Sequence, residues 1–165
     1  MLFENKFLRI LDWICSKVIC LGSHLQSLFL FYMRAVWGHQ FFIKGITKLS
    51  NIDAVAQFFA TLNISDPLFL AYVVALCETV GGICLFVGFA SRFVAIPLIA
   101  IMVSALSLAH SDAFIELRFL LEPARLVHEA PYPFLLTALL VFIFGPGRVS
   151  IDAWLKRWAS HQPKY

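Results

Sequence analysis

Residues Tyr72 to Gly88 read YVVALCETVGGICLFVG, an apolar run with the length and composition of a membrane-spanning helix. One ionisable residue, Glu78, lies near the middle of this run. A carboxylate at the centre of a bilayer costs at least ~2.5 to 3.5 kcal/mol, so we expect Glu78 to face protein and to have a partner. The identity of that partner is the first question that the sequence raises.

The composition places the whole chain in a membrane. Hydrophobic residues make up 61% of the 165 residues and charged residues 14%, whereas soluble domains are about 45 to 50% apolar and about 25% charged. Each span requires about 20 residues, so four spans and short loops nearly exhaust the chain. We expect an all-α integral membrane protein with a single domain over residues 1–165, the lipid bilayer as its environment and no nucleic-acid partner. The cysteines form no CxxC pair, which argues against a thiol-exchange enzyme.

The predicted architecture is a four-helix transmembrane bundle with an N-terminal amphipathic interfacial helix over residues 1–24. Apolar runs place the four spans at about residues 26–43, 68–88, 92–109 and 128–145. A short helix over residues 54–62 precedes the second span, and residues 111–133 are predicted to form a re-entrant or surface-lying loop. Residues 146–165 form the predicted cytoplasmic tail.

Lysine and arginine residues are distributed unevenly between the two sides of this arrangement. The positive-inside rule places both termini in the cytoplasm, with Arg92 and Arg148 as topology anchors beside spans. The predicted cytoplasmic side holds Lys6, Arg9, Lys17, Arg92, Arg148, Lys156, Arg157 and Lys164, and the other side holds Lys44, Lys48, Arg118 and Arg125.

Arg34 is the predicted partner of Glu78. Arg34 lies ten residues before Lys44, which marks the expected outer end of the first span. Glu78 lies ten residues after Leu68, the expected outer end of the second span. In antiparallel helices both groups would then lie about 15 Å below the same surface. Such a pair either fixes the helix register or forms a pocket that handles a ligand head group or a proton.

Small residues predict where the helices pack closely, because they let two backbones approach. The expected helix-packing residues are Gly38, Gly45, Gly81, Gly82 and Gly88.

Other polar residues complete the candidate site. The candidates for ligand binding or proton handling are Arg34, Glu78, Lys48 and His110. His39 and His110 are the metal candidates, but their spacing matches no metal-binding signature, so no metal site is predicted.

Several segments together resemble the DoxX family of small four-span bacterial membrane proteins. Lys44 departs from the family, in which many relatives carry a histidine, whereas Lys48 matches the family's lysine. The resemblance covers roughly residues 28–155 and is carried by Arg34, KGITKL at 44–49, ETVGGICLFVGFASR at 78–92, Ala105 with His110, and FGPGRVSIDAWL at 144–155.

What this resemblance implies is a role in redox biology. Some family members are described as membrane subunits associated with quinone-linked oxidation of sulfur compounds, and others as membrane partners of a superoxide dismutase and a sulfurtransferase. We therefore expect an accessory membrane subunit of a redox or oxidative-stress assembly in the bacterial cytoplasmic (inner) membrane, with redox proteins as partners and without catalysis on its own.

No cofactor is evident in the residues, and a quinone is the candidate ligand at the Arg34 and Glu78 site. One alternative function is a structural scaffold or membrane anchor for soluble partners. Another is a small-molecule transporter, which would require a homo-oligomer because four spans are few for alternating access.

Overall fold

The computed structural model describes residues 2–109 and 127–160, with side chains for residues 9, 12–108 and 127–160. The described residues form helices and loops and contain no strand, as predicted. The helices are α1 (Leu2–Ser50), α2 (Ile52–Thr61), α3 (Pro67–Val87), α4 (Ser91–Ala109), α5 (Pro131–Phe144) and α6 (Ile151–Ser160).

Helix α1 is longer than the sequence predicts. An interfacial helix over residues 1–24 and a separate span from residue 26 are expected, whereas a single helix runs from Leu2 to Ser50. The boundary predicted near residue 25 is absent. No proline lies near it to break the helix, and the single glycine beside it, Gly22, is itself helical. With 49 residues, α1 is about 74 Å long, more than twice the ~30 Å thickness of the hydrocarbon core.

Helices α2 and α3 begin close to their predicted positions. The short helix expected over residues 54–62 is α2, and Pro67 occupies the first turn of α3, where a proline removes no intrahelical hydrogen bond. Gly88 ends α3 with a φ of 74°, a left-handed conformation that favours glycine. The backbone N–H of Gly88 donates to the carbonyl oxygen of Cys84 at 2.9 Å.

Among the described residues, three helices are long and apolar enough to cross a membrane, within α1, α3 and α4. Helix α5 has only 14 residues, about 21 Å, because it begins at Pro131 rather than near the predicted residue 128. It packs against α4 and α1 as the fourth member of the bundle. The buried core joins these helices through Phe41, Leu85, Leu98, Met102, Ala138 and Val141.

The two ends of the bundle differ. The basic end, as we call it, holds the turn at residues 88–92, the segment at residues 145–150 and helix α6. The cavity end, opposite, holds the last turn of α1, helix α2 and the first turns of α3. The loop predicted over residues 111–133 lies largely outside the described residues.

Candidate ligand-binding site

Helices α1 and α3 approach each other most closely where glycines meet backbone. A Cβ added to Gly38 would lie 2.8 Å from the backbone nitrogen of Phe86, and one added to Gly45 would lie 2.5 Å from that of Thr79. A Cβ on Gly82 would likewise meet the backbone of α1. Real Cβ atoms essentially never come within 3.0 Å of another heavy atom, so these glycines set the antiparallel register. In that register residue 45 is level with residue 79.

The register brings Lys48 to Glu78. The ammonium Nζ of Lys48 lies 2.6 Å from Glu78 Oε1 and donates a hydrogen bond to it. The Glu78 side chain is 2% exposed, whereas that of Lys48 is 32% exposed. Lys48 lies in the last turn of α1 and Glu78 near the middle of α3, so the pair links the cavity end to the middle of the bundle.

Arg34 is not the partner of Glu78, and this prediction was wrong. Its buried guanidinium donates to the carbonyl oxygen of Val149 and, at 3.3 Å, to that of Leu85. A Cβ on Gly88 would collide with the same guanidinium, which places Arg34 at the basic end.

The error in the pairing has a physical origin. Lys44 marks the expected outer end of the first span, but α1 continues to Ser50. The observed register places Arg34 level with about residue 90 rather than with Glu78. Twelve residues of helix correspond to about 18 Å, too far for an ion pair.

The remaining two predicted packing glycines face other neighbours. A Cβ on Gly81 would lie 3.1 Å from the side chain of Leu98, so Gly81 lies against α4 rather than α1. Gly88 lies in the turn between α3 and α4, where both its positive φ and the adjacent Arg34 and Ser150 exclude a side chain.

Asp152 fastens helix α6 to this turn. Its two carboxylate oxygens accept hydrogen bonds from the backbone N–H groups of Ala90, at 2.8 Å, and Ser91, at 3.0 Å. In return, the backbone N–H of Asp152 donates to the carbonyl oxygen of Gly88 at 3.0 Å. A carboxylate at a helix N-terminus satisfies free N–H groups and interacts favourably with the helix dipole. Asp152 therefore caps α4 while it belongs to α6.

The predicted topology anchors Arg92 and Arg148 both lie at the basic end. The guanidinium of Arg92 donates to the carbonyl oxygen of Ile143 at 3.3 Å. The backbone N–H of Arg148 donates to the hydroxyl of Ser27 on α1 at 2.8 Å. Arg92 and Arg148 thus lie at one end of the bundle, together with Lys156 and Arg157 on α6.

A cavity of about 550 Å³ lies at the cavity end between α1, α2, α3 and α4. Its volume is within the range of small-molecule sites, which are mainly apolar with a few polar groups. The lining is largely apolar, and the aromatic rings come from α2. The described lining residues are Thr47, Lys48, Asn51, Ala54, Val55, Phe58, Phe59, Leu62, Ile64, Leu70, Val74, Glu78, Ala100, Ile101, Ser104, Ala105 and Leu108.

Polar groups in this lining are unequally satisfied. The hydroxyl of Thr47 donates to Ile43 O at 2.8 Å, and the amide of Asn51 donates to Thr47 O at 3.1 Å, so both turn back onto α1. Glu78 Oε2, in contrast, is buried and accepts no hydrogen bond from any described residue. Among the described residues, the lining thus includes a buried carboxylate oxygen without a partner and the ammonium of Lys48.

The other candidates do not join this site. His39 is exposed on α1 and does not line the cavity, and His110 lies outside the described residues. The described residues contain no cluster of three or more histidine, cysteine or acidic side chains that could hold a metal ion. All four cysteines are free.

Two features of the site were missed in the sequence. Phe58 and Phe59 line the cavity from α2. The apolar face of that short helix was the signal that it packs over the ends of the neighbouring helices. Asp152 lies in the first turn of α6, a usual place for an acid, and nothing local shows that it reaches a second helix.

This fold and site define a multi-pass α-helical membrane protein with a polar pair at a cavity between its helices. The DoxX family model matches residues 29–111, just over half of the chain, and the chain belongs to the DoxX family. The predicted resemblance is thereby confirmed. A protein named putative oxidoreductase CatD, from Bacillus subtilis, is 28% identical over 123 residues, which cover 74% of this chain and 84% of that protein. No solved structure matches the chain.

Proposed function

We propose that the protein is an accessory membrane subunit of a redox assembly and binds a lipophilic molecule, such as a quinone, in the cavity at the cavity end. The observation that carries this proposal is the Lys48–Glu78 pair at the wall of a largely apolar cavity. Intramembrane ionisable residues mark functional sites by default because they are expensive to keep there. The similarity to a protein named as a putative oxidoreductase supports the redox setting.

The lining suits a molecule with an apolar body and a small polar head. Phe58, Phe59 and aliphatic side chains would contact the body, and apolar burial is worth about 25 cal/mol per Å². Lys48 offers ammonium hydrogens and Glu78 an acceptor oxygen to the head. A quinone or quinol has this division into apolar body and polar oxygens.

The proposed location is the bacterial cytoplasmic membrane with the basic end in the cytoplasm. The grouping of Arg92, Arg148, Lys156 and Arg157 at that end supports this orientation through the positive-inside rule. The exposed Trp154 and Trp158 on α6 suit the interface beside it.

Filling the cavity tests the proposal. Ala105 lines the cavity from α4, so Ala105→Phe would occupy the space of the ligand. We expect this variant to lose at least tenfold in affinity for decylubiquinone, measured by calorimetry on purified protein in detergent.

The control is Ala60→Phe, which adds the same ring at an exposed position of α2 that does not line the cavity. It should bind as the unmodified protein does. Equal binding by both variants would contradict the cavity as the site. Absence of binding by the unmodified protein, with the fold intact, would favour the scaffold alternative instead.

A further inference from the structure

Glu78 presents one satisfied and one unsatisfied oxygen. Oε1 accepts from Lys48 at 2.6 Å, whereas Oε2 is buried and has no hydrogen-bond partner among the described residues. The residue as a whole is 1% exposed and lines the cavity. Buried polar atoms are nearly always paired, so an unpaired one requires an explanation such as a ligand.

The chemistry of Oε2 limits what the ligand can be. Oε1 accepts from the Lys48 ammonium at 2.6 Å, and in a carboxylate paired in this way both oxygens are hydrogen-bond acceptors. A ligand atom that meets Oε2 must therefore donate a hydrogen. A quinone carbonyl cannot donate, although it can accept from Lys48.

A hydroxyl satisfies both members of the pair. Its hydrogen is donated to Glu78 Oε2 while its oxygen accepts from the ammonium of Lys48. Thr47 and Asn51 each donate a hydrogen bond to a carbonyl oxygen of α1. Glu78 Oε2 is the buried acceptor of the described lining residues that lacks a partner, so we assign the preference for a donor head to Glu78.

We infer that the cavity selects ligands whose polar head carries a hydroxyl, and that it binds the quinol form of a quinone couple in preference to the quinone. This deepens the proposed function and rests on it. Binding requires no chemical step, since the hydroxyl hydrogen stays on the ligand. Tighter binding of the reduced form stabilises it, so a tenfold preference raises the midpoint potential of the bound two-electron couple by about 30 mV.

A matched pair of redox-inert ligands tests the inference. We would titrate the purified full chain in detergent with 4-nonylphenol and with its methyl ether, 4-nonylanisole, in which a methyl group replaces the donor hydrogen. The phenol should bind at least tenfold more tightly than the ether. Decylubiquinol and decylubiquinone, compared under anaerobic conditions, should show the same order.

Glu78→Gln supplies the matching variant, because an amide of the same shape can both donate and accept. The preference for the phenol should fall below about threefold, as expected when the acceptor-only oxygen is lost. The control is Asp53→Asn, the same chemical change at an exposed residue of α2 outside the lining, and it should keep the full preference.

The outcomes separate this inference from the proposed function. Equal binding of phenol and ether by the unmodified protein overturns the inference and leaves the cavity as a binding site. A preference that survives in Glu78→Gln overturns the assignment to Glu78. Failure of all four ligands to bind overturns the proposed function and the inference together.

Discussion

At the scale of single residues, the absence of a side chain decides which charges meet. Gly45 allows the backbone of α3 to reach α1, and this contact aligns Lys48 with Glu78. The same register places Arg34 at the basic end. There its partners are backbone carbonyl oxygens instead of the carboxylate of Glu78. The Lys48–Glu78 pair thus follows from the packing of α1 against α3, whereas the presence of two opposite charges within the spans, Arg34 and Glu78, does not predict which charges pair.

Gly45→Ala tests this packing. Its Cβ would lie 2.5 Å from the backbone nitrogen of Thr79 and 2.9 Å from its Cα, and neither atom can move without shifting α3. We expect the variant to be less stable by about 1 to 3 kcal/mol, as is usual for overpacking. Thermal unfolding in detergent would measure the change.

Gly22→Ala is the internal control, since a Cβ at Gly22 meets nothing within 4 Å. In a helix interior this change should stabilise the protein by about 0.5 to 1 kcal/mol. An equal loss of stability in both variants would show that the α1–α3 contact does not govern the effect.

At the scale of helices, the sequence predicts what local rules control. The apolar faces and Pro67 locate α2 and α3 correctly, because periodicity and helix-start signals act within a few residues. The continuity of α1 through residue 25 was missed because an amphipathic half followed by an apolar half suggests two environments, although neither half contains a helix-breaking residue. The Lys48–Glu78 pair and the cap from Asp152 depend on register and tertiary contact, which no local signal contains.

Asp152→Asn tests the attachment of α6. The asparagine keeps one acceptor oxygen and turns an NH₂ group toward a backbone N–H, so one of the two hydrogen bonds at Ala90 and Ser91 is lost. We expect a loss of about 1 to 2 kcal/mol, in the range of a helix cap, and faster hydrogen exchange in α6 than in α3. Hydrogen exchange followed by mass spectrometry would resolve the two helices.

Asp53→Asn again provides the control. Asp53 is exposed in the first turn of α2, so this substitution replaces a carboxylate by an amide far from α6. If α6 exchanges equally fast in both variants, Asp152 does not hold it in place.

At the scale of the whole molecule, the basic end and the cavity end have different roles. The basic end is closed by Arg34, Gly88 and Asp152, whose hydrogen bonds join α1, α3, α4 and α6. The cavity end leaves about 550 Å³ open beside a buried carboxylate with one unsatisfied oxygen. A bundle that is locked at one end and open at the other can hold a ligand without separating its helices.

A double substitution separates the structural role of the ion pair from its role in binding. Lys48→Met alone should destabilise the protein by about 3 to 5 kcal/mol, because it leaves the Glu78 carboxylate buried without a partner. Lys48→Met combined with Glu78→Leu removes both charges and keeps similar volumes. Replacing a buried ion pair in this way is often neutral or stabilising by about 1 to 4 kcal/mol. We therefore expect the double variant to unfold at or above the temperature of the unmodified protein and yet to lose decylubiquinol binding at least tenfold.

Lys156→Met is the matched control, since Lys156 is exposed on α6 at the opposite end of the bundle and does not line the cavity. It should change neither stability nor binding. A double variant as unstable as Lys48→Met alone would show that the pair holds the α1–α3 register. A stable double variant that still binds decylubiquinol would place the ligand head elsewhere. An ion pair buried between membrane helices adds no hydrophobic stabilisation. A double variant that is stable but no longer binds decylubiquinol would therefore indicate that Lys48 and Glu78 are retained for the ligand.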